Sequence, residues 1–134
     1  MRNWLFVCSR NRLRSPTAET MFGDLPDVET ASAGTSPDAD TVLTGELIEW
    51  ADTIFVMERV HRTRVQRRFR RHLNGKRIVC LDIPDDYACM DPALMALLSK
   101  RMTRFLKLAL KGHKSHPRTA FATGTIQRGG DRVA

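Results

Sequence analysis

Four short apolar runs alternate with four segments of helical periodicity, and this alternation limits the folds that the chain can adopt. The apolar runs cover residues 3–7, 28–35, 53–57 and 77–83. The helical segments cover residues 15–25, 42–51, 58–73 and 92–110. Strands that alternate with helices form a parallel sheet with helices on both faces. We therefore predict a three-layer α/β fold with a four-stranded parallel sheet, which binds ligands where the strands end.

Length and composition indicate one domain. The chain has 134 residues, and 42% of them are hydrophobic, which is enough for a buried core. No apolar run approaches the roughly 20 residues that span a bilayer, and arginines follow the first run too closely for a signal peptide. We predict a cytoplasmic protein with no membrane contact. Its domain covers residues 1–112, and residues 113–134, which lack periodicity, form a disordered basic tail.

The net charge of +7 is concentrated in part of the chain. Residues 59–77 contain nine lysines and arginines and no acid. Such a segment can attract nucleic acid, acidic proteins or phosphorylated substrates. Because aromatic residues for base stacking are scarce here, we do not expect nucleic acid as a partner. A non-catalytic phosphate- or nucleic-acid-binding module stays open as an alternative.

The loop after the first predicted strand, CSRNRLRS at residues 8–15, combines a thiol with three arginines. It lies between a strand and a helix, where folds of this class bind anions. In such a loop, backbone N–H groups can surround an oxyanion, and Arg14 can hold two phosphate oxygens in a bidentate fork. This field favours the thiolate form of Cys8. We predict that Ser15 caps the following helix and that Pro16 begins it.

The same stretch resembles the low-molecular-weight protein tyrosine phosphatases, whose signature is C-x-x-N-x-x-R-S-P-x-A-E. The match consists of Cys8, Asn11, Arg14, Ser15, Pro16, Ala18 and Glu19. The resemblance continues in SAGT at residues 32–35 and ADTIFVM at residues 51–57, and it covers roughly residues 3–110. It implies a hydrolase that removes phosphate from a phosphorylated substrate, expected to be a phosphotyrosine protein, through a phosphocysteine intermediate. It calls for no metal and no cofactor.

The resemblance also implies roles for individual residues. Cys8 would be the nucleophile, and Arg14 would bind phosphate and stabilise the transition state. Ser15 would hydrogen-bond the thiolate, and Asn11 would hold the loop in a strained shape. The remaining positions of the substrate loop are Ser9, Arg10, Arg12 and Leu13, and Tyr87 would line its mouth.

A general acid must protonate the leaving oxygen, and the family supplies an aspartate between the last strand and the last helix. Four carboxylates occupy that region: Asp82, Asp85, Asp86 and Asp91. The stretch IPDDY aligns best with Asp85, which we prefer. Asp91 precedes Pro92 and is well placed to cap the last helix.

The chain departs from the family pattern at several positions. Arg10 stands where a glycine is usual, and Leu13 replaces a second loop cysteine that protects the nucleophile in many relatives. The segment between SAGT and ADTIFVM is short, and it lacks both an H-x-A-R-like stretch and an aromatic that helps to hold the substrate. These departures leave the specificity for phosphotyrosine open. The sequence also does not determine the oligomeric state.

Cysteines outside the loop give a second alternative within the same fold, a thioredoxin-coupled arsenate reductase. Those enzymes pass electrons through two further cysteines, and this chain contains Cys80 and Cys89. Cys80, however, lies in an apolar strand pattern and is predicted to be a core residue. Three widely spaced cysteines indicate neither a disulfide framework nor a zinc site.

Overall fold

The computed structural model describes residues 2–112 and contains one sheet of four parallel strands. The strands are β1 (Arg2–Cys8), β2 (Val28–Gly34), β3 (Thr53–Val56) and β4 (Arg77–Cys80), and their order in the sheet is β2-β1-β3-β4. The register places Cys8 beside Gly34, and Val7 beside Val56. The predicted three-layer α/β fold with a four-stranded parallel sheet is confirmed.

The helices connect the strands and cover both faces of the sheet. They are α1 (Arg14–Phe22), α2 (Gly45–Trp50), α3 (Arg59–Arg68), α4 (Pro92–Arg101) and α5 (Thr103–Gly112), with a 3₁₀ turn at Arg70–His72. None of them is long and apolar enough to cross a membrane, over the residues that the structure describes. The predicted tail, residues 113–134, lies outside those residues.

The core consists of two clusters, one on each face of the sheet, because alternate side chains of β1 point to opposite faces. Trp4 and Phe6 pack with α1, α4 and α5 in the first cluster. Leu5 and Val7 pack with α2 and α3 in the second. Burial on both faces explains why β1 is a continuous apolar run rather than an alternating pattern.

The predicted helix over 92–110 is two helices. The first of them, α4, ends at Arg101, and the break lies at Met102. This residue is fully buried and has φ −93° and ψ 2°. The hydroxyl of Thr103 donates to the carbonyl oxygens of Ser99 and Lys100, at 3.2 and 2.8 Å. Such bonds compete with the helical pattern and bend helices. The start of the segment is as expected, because the Asp91 side chain accepts from the Ala93 N–H at 2.8 Å.

Three other predicted boundaries were wrong. Helix α1 begins at Arg14, so Ser15 is not its cap. Strand β4 ends at Cys80 rather than residue 83, because Asp82 adopts a positive φ of 53°, although Ile83 still donates to the Met57 carbonyl. The third helical segment ends at Arg68 rather than residue 73.

Candidate active site

The loop after β1 and the start of α3 meet at the C-terminal edge of the sheet. The chain leaves β1 toward β2 on one side, and it leaves β3 toward β4 on the other. Between such diverging connections an α/β sheet has a crevice that can bind a ligand. The crevice here is bounded by Cys8 at the end of β1 and Glu58 just before α3.

The sulfur of Cys8 is buried and surrounded by hydrogen-bonding groups. Its Sγ atom lies 2.9 Å from Ser15 Oγ and accepts from the Asn11 backbone N–H at 3.2 Å. The Nδ2 group of Asn11 also donates to Ser15 Oγ, at 3.0 Å. The sulfur thus has one backbone donor and one hydroxyl group within hydrogen-bond distance. Ser15, which does not cap α1, is instead part of the environment of the thiol.

Asn11 fixes the shape of the loop. Its φ of 58° lies in the left-handed region, which asparagine enters more readily than most residues with a side chain. Its Oδ1 atom accepts from the backbone N–H of Thr41 at 3.1 Å. Asn11 is thus bonded to Cys8, Ser15 and Thr41, and these contacts hold a backbone conformation that is otherwise unfavourable.

Arg14 is buried beneath the crevice, with its guanidinium held by two acceptors. Its Nη1 group donates to the carboxylate of Glu58 and, at 2.8 Å, to the Ile83 carbonyl. Its Nε atom lies 3.7 Å from Asp85 Oδ1. Among residues 2–112 no hydrogen-bond acceptor takes the Nη2 group. Nη2 therefore remains available for an anion, in a fork that Glu58 orients.

Glu58 and His61 belong to the site, and the sequence analysis missed both. They form a capping box at the start of α3, in which His61 Nδ1 accepts from the Glu58 N–H at 3.0 Å. That bond leaves the proton of the neutral ring on Nε2, which lies 3.0 Å from Ser9 Oγ. Burial and the nearby Arg14 lower the pKa of His61 to about 4, so the ring is neutral at pH 7.

The missing signal was the spacing Glu58-x-x-His61 directly after a buried strand. At the start of this helix the apolar Val60 is 45% exposed, whereas the polar His61 is fully buried. The spacing of three residues at a helix start is that of a capping box, although the residue types differ from its usual Ser/Thr-x-x-Glu/Gln signature.

The short connection after β2 supports the loop from one side; residues 36–41 are called the support segment. Its backbone N–H groups at Ser36 and Asp40 donate to the Ser9 and Arg10 carbonyls, at 2.8 and 3.0 Å. Gly34 permits this approach, because a Cβ there would lie 2.4 Å from the Ser9 carbonyl oxygen. The connection is short, yet it has a structural role at the site.

The support segment also binds one of the loop arginines. Arg12 Nε donates to Asp40 Oδ1 at 3.1 Å. The pKa of Asp38 is lowered by a hydrogen bond from the Ser36 hydroxyl and then by the nearby Arg10. Both extra arginines of the loop thus lie close to carboxylates of this segment.

A cavity of about 470 Å³ opens above the loop. It is lined by Cys8, Ser9, Arg10, Arg12, Leu13, Arg14 and Asp85. Asn11 and Ser15 lie behind the sulfur and are buried. Tyr87 is half-buried and packs against the first core cluster, outside the lining of this cavity.

Of the four candidate aspartates, Asp85 is the one in the cavity lining. Asp91 caps α4, Asp82 lies 3.5 Å from the Cys80 sulfur, and Asp86 is an exposed residue. The Asp85 side chain is 64% exposed and lies at the cavity mouth beside Arg14. A carboxyl group there can reach the oxygen of a phosphate ester bound above Cys8.

The two other cysteines lie on opposite sides of the sheet. Cys80 packs against the second core cluster, where burial raises the pKa of its thiol. Cys89 is exposed and contacts Thr17 of α1, at 3.7 Å. No cluster of three or more histidines, cysteines or acids in residues 2–112 is placed to hold a metal ion.

No family model and no curated protein matches the chain. Solved structures do match it. The YwlE arginine phosphatase from Geobacillus stearothermophilus is 23% identical with a TM-score of 0.67, over 88% of this chain and 99% of that one. The Erwinia amylovora tyrosine phosphatase AmsI is 25% identical with a TM-score of 0.63, over 81% and 93%.

A third match is the low-molecular-weight protein tyrosine phosphatase SP-PTP from Streptococcus pyogenes. It is 17% identical with a TM-score of 0.62, over 81% of this chain and 93% of that one. All three matches extend over nearly the whole of the matched chain, with TM-scores of 0.62 to 0.67. The described part of the chain therefore has the fold of the low-molecular-weight protein tyrosine phosphatases.

Proposed function

We propose that this protein is a phosphomonoester hydrolase, specifically a protein tyrosine phosphatase, that acts through a phosphocysteine intermediate on Cys8. The observation that carries the proposal is the environment of the Cys8 sulfur. Ser15 Oγ lies 2.9 Å from it and the Asn11 N–H 3.2 Å, and both Arg14 and Asp85 line the cavity above it. A nucleophile, an anion-binding fork and a carboxyl group are thus brought together in one small cavity.

The proposed reaction has two steps. In the first, the Cys8 thiolate attacks phosphorus, the P–S bond forms and the P–O bond to the leaving group breaks, while protonated Asp85 gives its proton to the leaving oxygen. In the second, water attacks phosphorus, Asp85 accepts a proton from it, the P–S bond breaks and inorganic phosphate leaves. Arg14 holds the phosphoryl oxygens in both steps and stabilises their developing charge.

The cavity lining favours phosphotyrosine over phosphoarginine, although one matched structure is an arginine phosphatase. Arg10, which forms no ion pair within residues 2–112, stands at the cavity wall and would repel the guanidinium of a phosphoarginine, whereas Arg12 is paired with Asp40. Leu13, which is 36% exposed there, offers apolar contact to a neutral aromatic ring.

The arsenate reductase alternative receives less support from the geometry. An electron relay from Cys8 through two cysteines requires that the thiols approach one another. Cys80 and Cys89 pack on opposite faces of the sheet, against α2 and α3 in one case and α1 in the other. Thiol-dependent arsenate reduction that survives the double change Cys80→Ser and Cys89→Ser would exclude the relay.

Hydrolysis of p-nitrophenyl phosphate tests the proposal. We expect turnover by the wild-type protein and by Cys89→Ser, and at least a thousandfold loss in Cys8→Ser, because the nucleophile is removed. Phosphotyrosine and phosphoarginine peptides of equal sequence then test the substrate class. Equal turnover by Cys8→Ser and the wild type would refute the mechanism, and a preference for phosphoarginine would refute the tyrosine assignment.

A further inference from the structure

A second cavity, of about 430 Å³, lies beside the support segment on the α3 side of the sheet. Its walls are Thr35, Ser36, Pro37, Arg64, Arg67 and Arg68. The three arginines occupy positions i, i+3 and i+4 of one helix, so they share one face of α3. Like charges at this spacing repel one another, and an anion bound between them would relieve the repulsion.

Two of these arginines are fixed to the wall. Arg64 Nη1 donates to Thr35 Oγ1 at 3.2 Å, and Arg68 donates to the Thr35 carbonyl oxygen. Arg67 makes no hydrogen bond or ion pair with any residue in 2–112. The cavity thus has two guanidinium groups held in place and a third that is exposed and free to bind.

Protein carboxylates do not neutralise this cluster within residues 2–112. None of the ion pairs there involves an arginine of α3. Ser36 on the cavity wall does donate to Asp38, but the cations that lower the pKa of Asp38 are Arg10 and Arg12 of the loop. The positive charge of the second cavity therefore remains available to an external anion.

The wall of the second cavity is hydrogen-bonded to the loop that carries Cys8. Thr35 donates its backbone N–H to the Cys8 carbonyl at 2.9 Å, and Ser36 donates to the Ser9 carbonyl at 2.8 Å. On the helix, Arg64 follows His61 by one turn, and His61 contacts Ser9. A substrate segment that extends from the first cavity over this wall would reach the arginines.

We infer that Arg64, Arg67 and Arg68 form a second anion subsite, which binds acidic or phosphorylated residues next to the phosphotyrosine of a protein substrate. This inference rests on the proposed function, because it assigns the substrate's neighbouring sequence. The shared chemistry is a carboxylate or phosphate group on the polypeptide, which the guanidinium groups bind by charge-assisted hydrogen bonds. Nucleic acid fits less well, because no aromatic side chain lines this cavity to stack on a base.

Three phosphotyrosine peptides of one length test the inference. They carry three aspartates, three asparagines or three phosphoserines beside the phosphotyrosine. The readout is kcat/KM for the aspartate peptide divided by that for the asparagine peptide, in the wild type and in Arg67→Gln. Arg71→Gln is the matched control, because it removes the same charge from an exposed position outside the cavity.

We expect the wild type to prefer the aspartate peptide, Arg67→Gln to lower this ratio about fivefold, and Arg71→Gln to leave it unchanged. The phosphoserine peptide shows whether phosphate or carboxylate is the better ligand, and an Arg67-dependent gain with either supports the subsite. Equal ratios in all three proteins would overturn the inference. The inference would also be overturned if single-stranded RNA bound through Arg67 while the peptide ratio did not depend on Arg67.

Binding to the Cys8→Ser protein separates this inference from the proposed function. If the wild type hydrolyses no phosphate ester, the proposed function fails. The fluorescence anisotropy of labelled aspartate and asparagine peptides still decides the subsite. Tighter binding of the aspartate peptide that requires Arg67 supports it, and equal binding of the two peptides overturns it.

Discussion

The Sγ atom of Cys8 lies 2.9 Å from the Oγ atom of Ser15, across the loop that joins β1 to α1. Because Asn11 Nδ2 donates to the same hydroxyl oxygen at 3.0 Å, the hydroxyl proton of Ser15 is free to point at the sulfur. In the mechanism that we propose, this hydroxyl stabilises the thiolate of Cys8, both before attack and when the thiolate leaves again.

Ser15→Ala should reduce kcat for p-nitrophenyl phosphate by about tenfold or more, because one hydrogen bond to a charged group contributes about 1.5–3 kcal/mol. KM should change less, since Ser15 lies behind the sulfur and does not line the cavity. Steady-state kinetics measure both values. A change confined to KM would show that Ser15 acts on substrate binding instead.

Glu58 should act through Arg14. Glu58→Ala removes the carboxylate that orients the Nη1 group, so kcat/KM should fall about tenfold. Glu58→Gln keeps an acceptor oxygen, so its kcat/KM should fall less. Glu49→Ala, which removes an exposed carboxylate that pairs with His72, is the control. Unchanged kinetics in Glu58→Ala would contradict the positioning role.

His61 should make the stability of the fold dependent on pH. Its pKa is about 4 in the folded chain and about 6.5 when unfolded. Between these values the unfolded chain binds a proton that the folded one does not, so stability falls as the pH drops from about 6.5 to about 4. The loss from this group is at most about 3 kcal/mol.

Urea unfolding at pH 7 and at pH 4.5 measures this dependence. His61→Gln cannot titrate, and its stability should therefore fall less steeply over this range than that of the wild type. The variant should also be less stable at pH 7, because the bonds to Ser9 and Glu58 are weakened. An identical pH slope in both proteins would show that His61 does not carry the effect.

Much of this site was predictable because its sequence pattern is local. The alternation of apolar runs and helical segments predicted the parallel sheet, and the spacing of Cys8, Asn11 and Arg14 placed three residues of the candidate site in one loop. Each of these inferences depends on residues that are neighbours in the chain. Contacts between distant segments carry no such pattern.

Glu58 and His61 show the limit of that approach. They reach the loop from a segment more than forty positions away, and the arginines around them obscured the buried histidine. The break of the last helix at Met102 was missed for another reason. Thr103 ends α4 through its own hydroxyl group, which a reading of apolar periodicity does not include.

Asp85→Asn should lower kcat by about a hundredfold or more, because it removes the proposed proton donor. The loss should be larger for phenyl phosphate, whose leaving group needs the proton more, than for p-nitrophenyl phosphate. Asp82→Asn, Asp86→Asn and Asp91→Asn are matched controls outside the cavity lining. If one of these, and not Asp85→Asn, shows the loss that depends on the leaving group, that residue is the acid.

A covalent phosphoryl group on Cys8 is the most direct test of the proposed mechanism. The protein is mixed with p-nitrophenyl phosphate, quenched in denaturant within one turnover and analysed as peptides by mass spectrometry. We predict one added phosphoryl group on the peptide that contains Cys8. The phosphorylated peptide should accumulate in the Asp85→Asn variant and should be absent from the Cys8→Ala variant. Turnover with no phosphoryl group on Cys8 at any quench time, or with one on another residue, would contradict the mechanism.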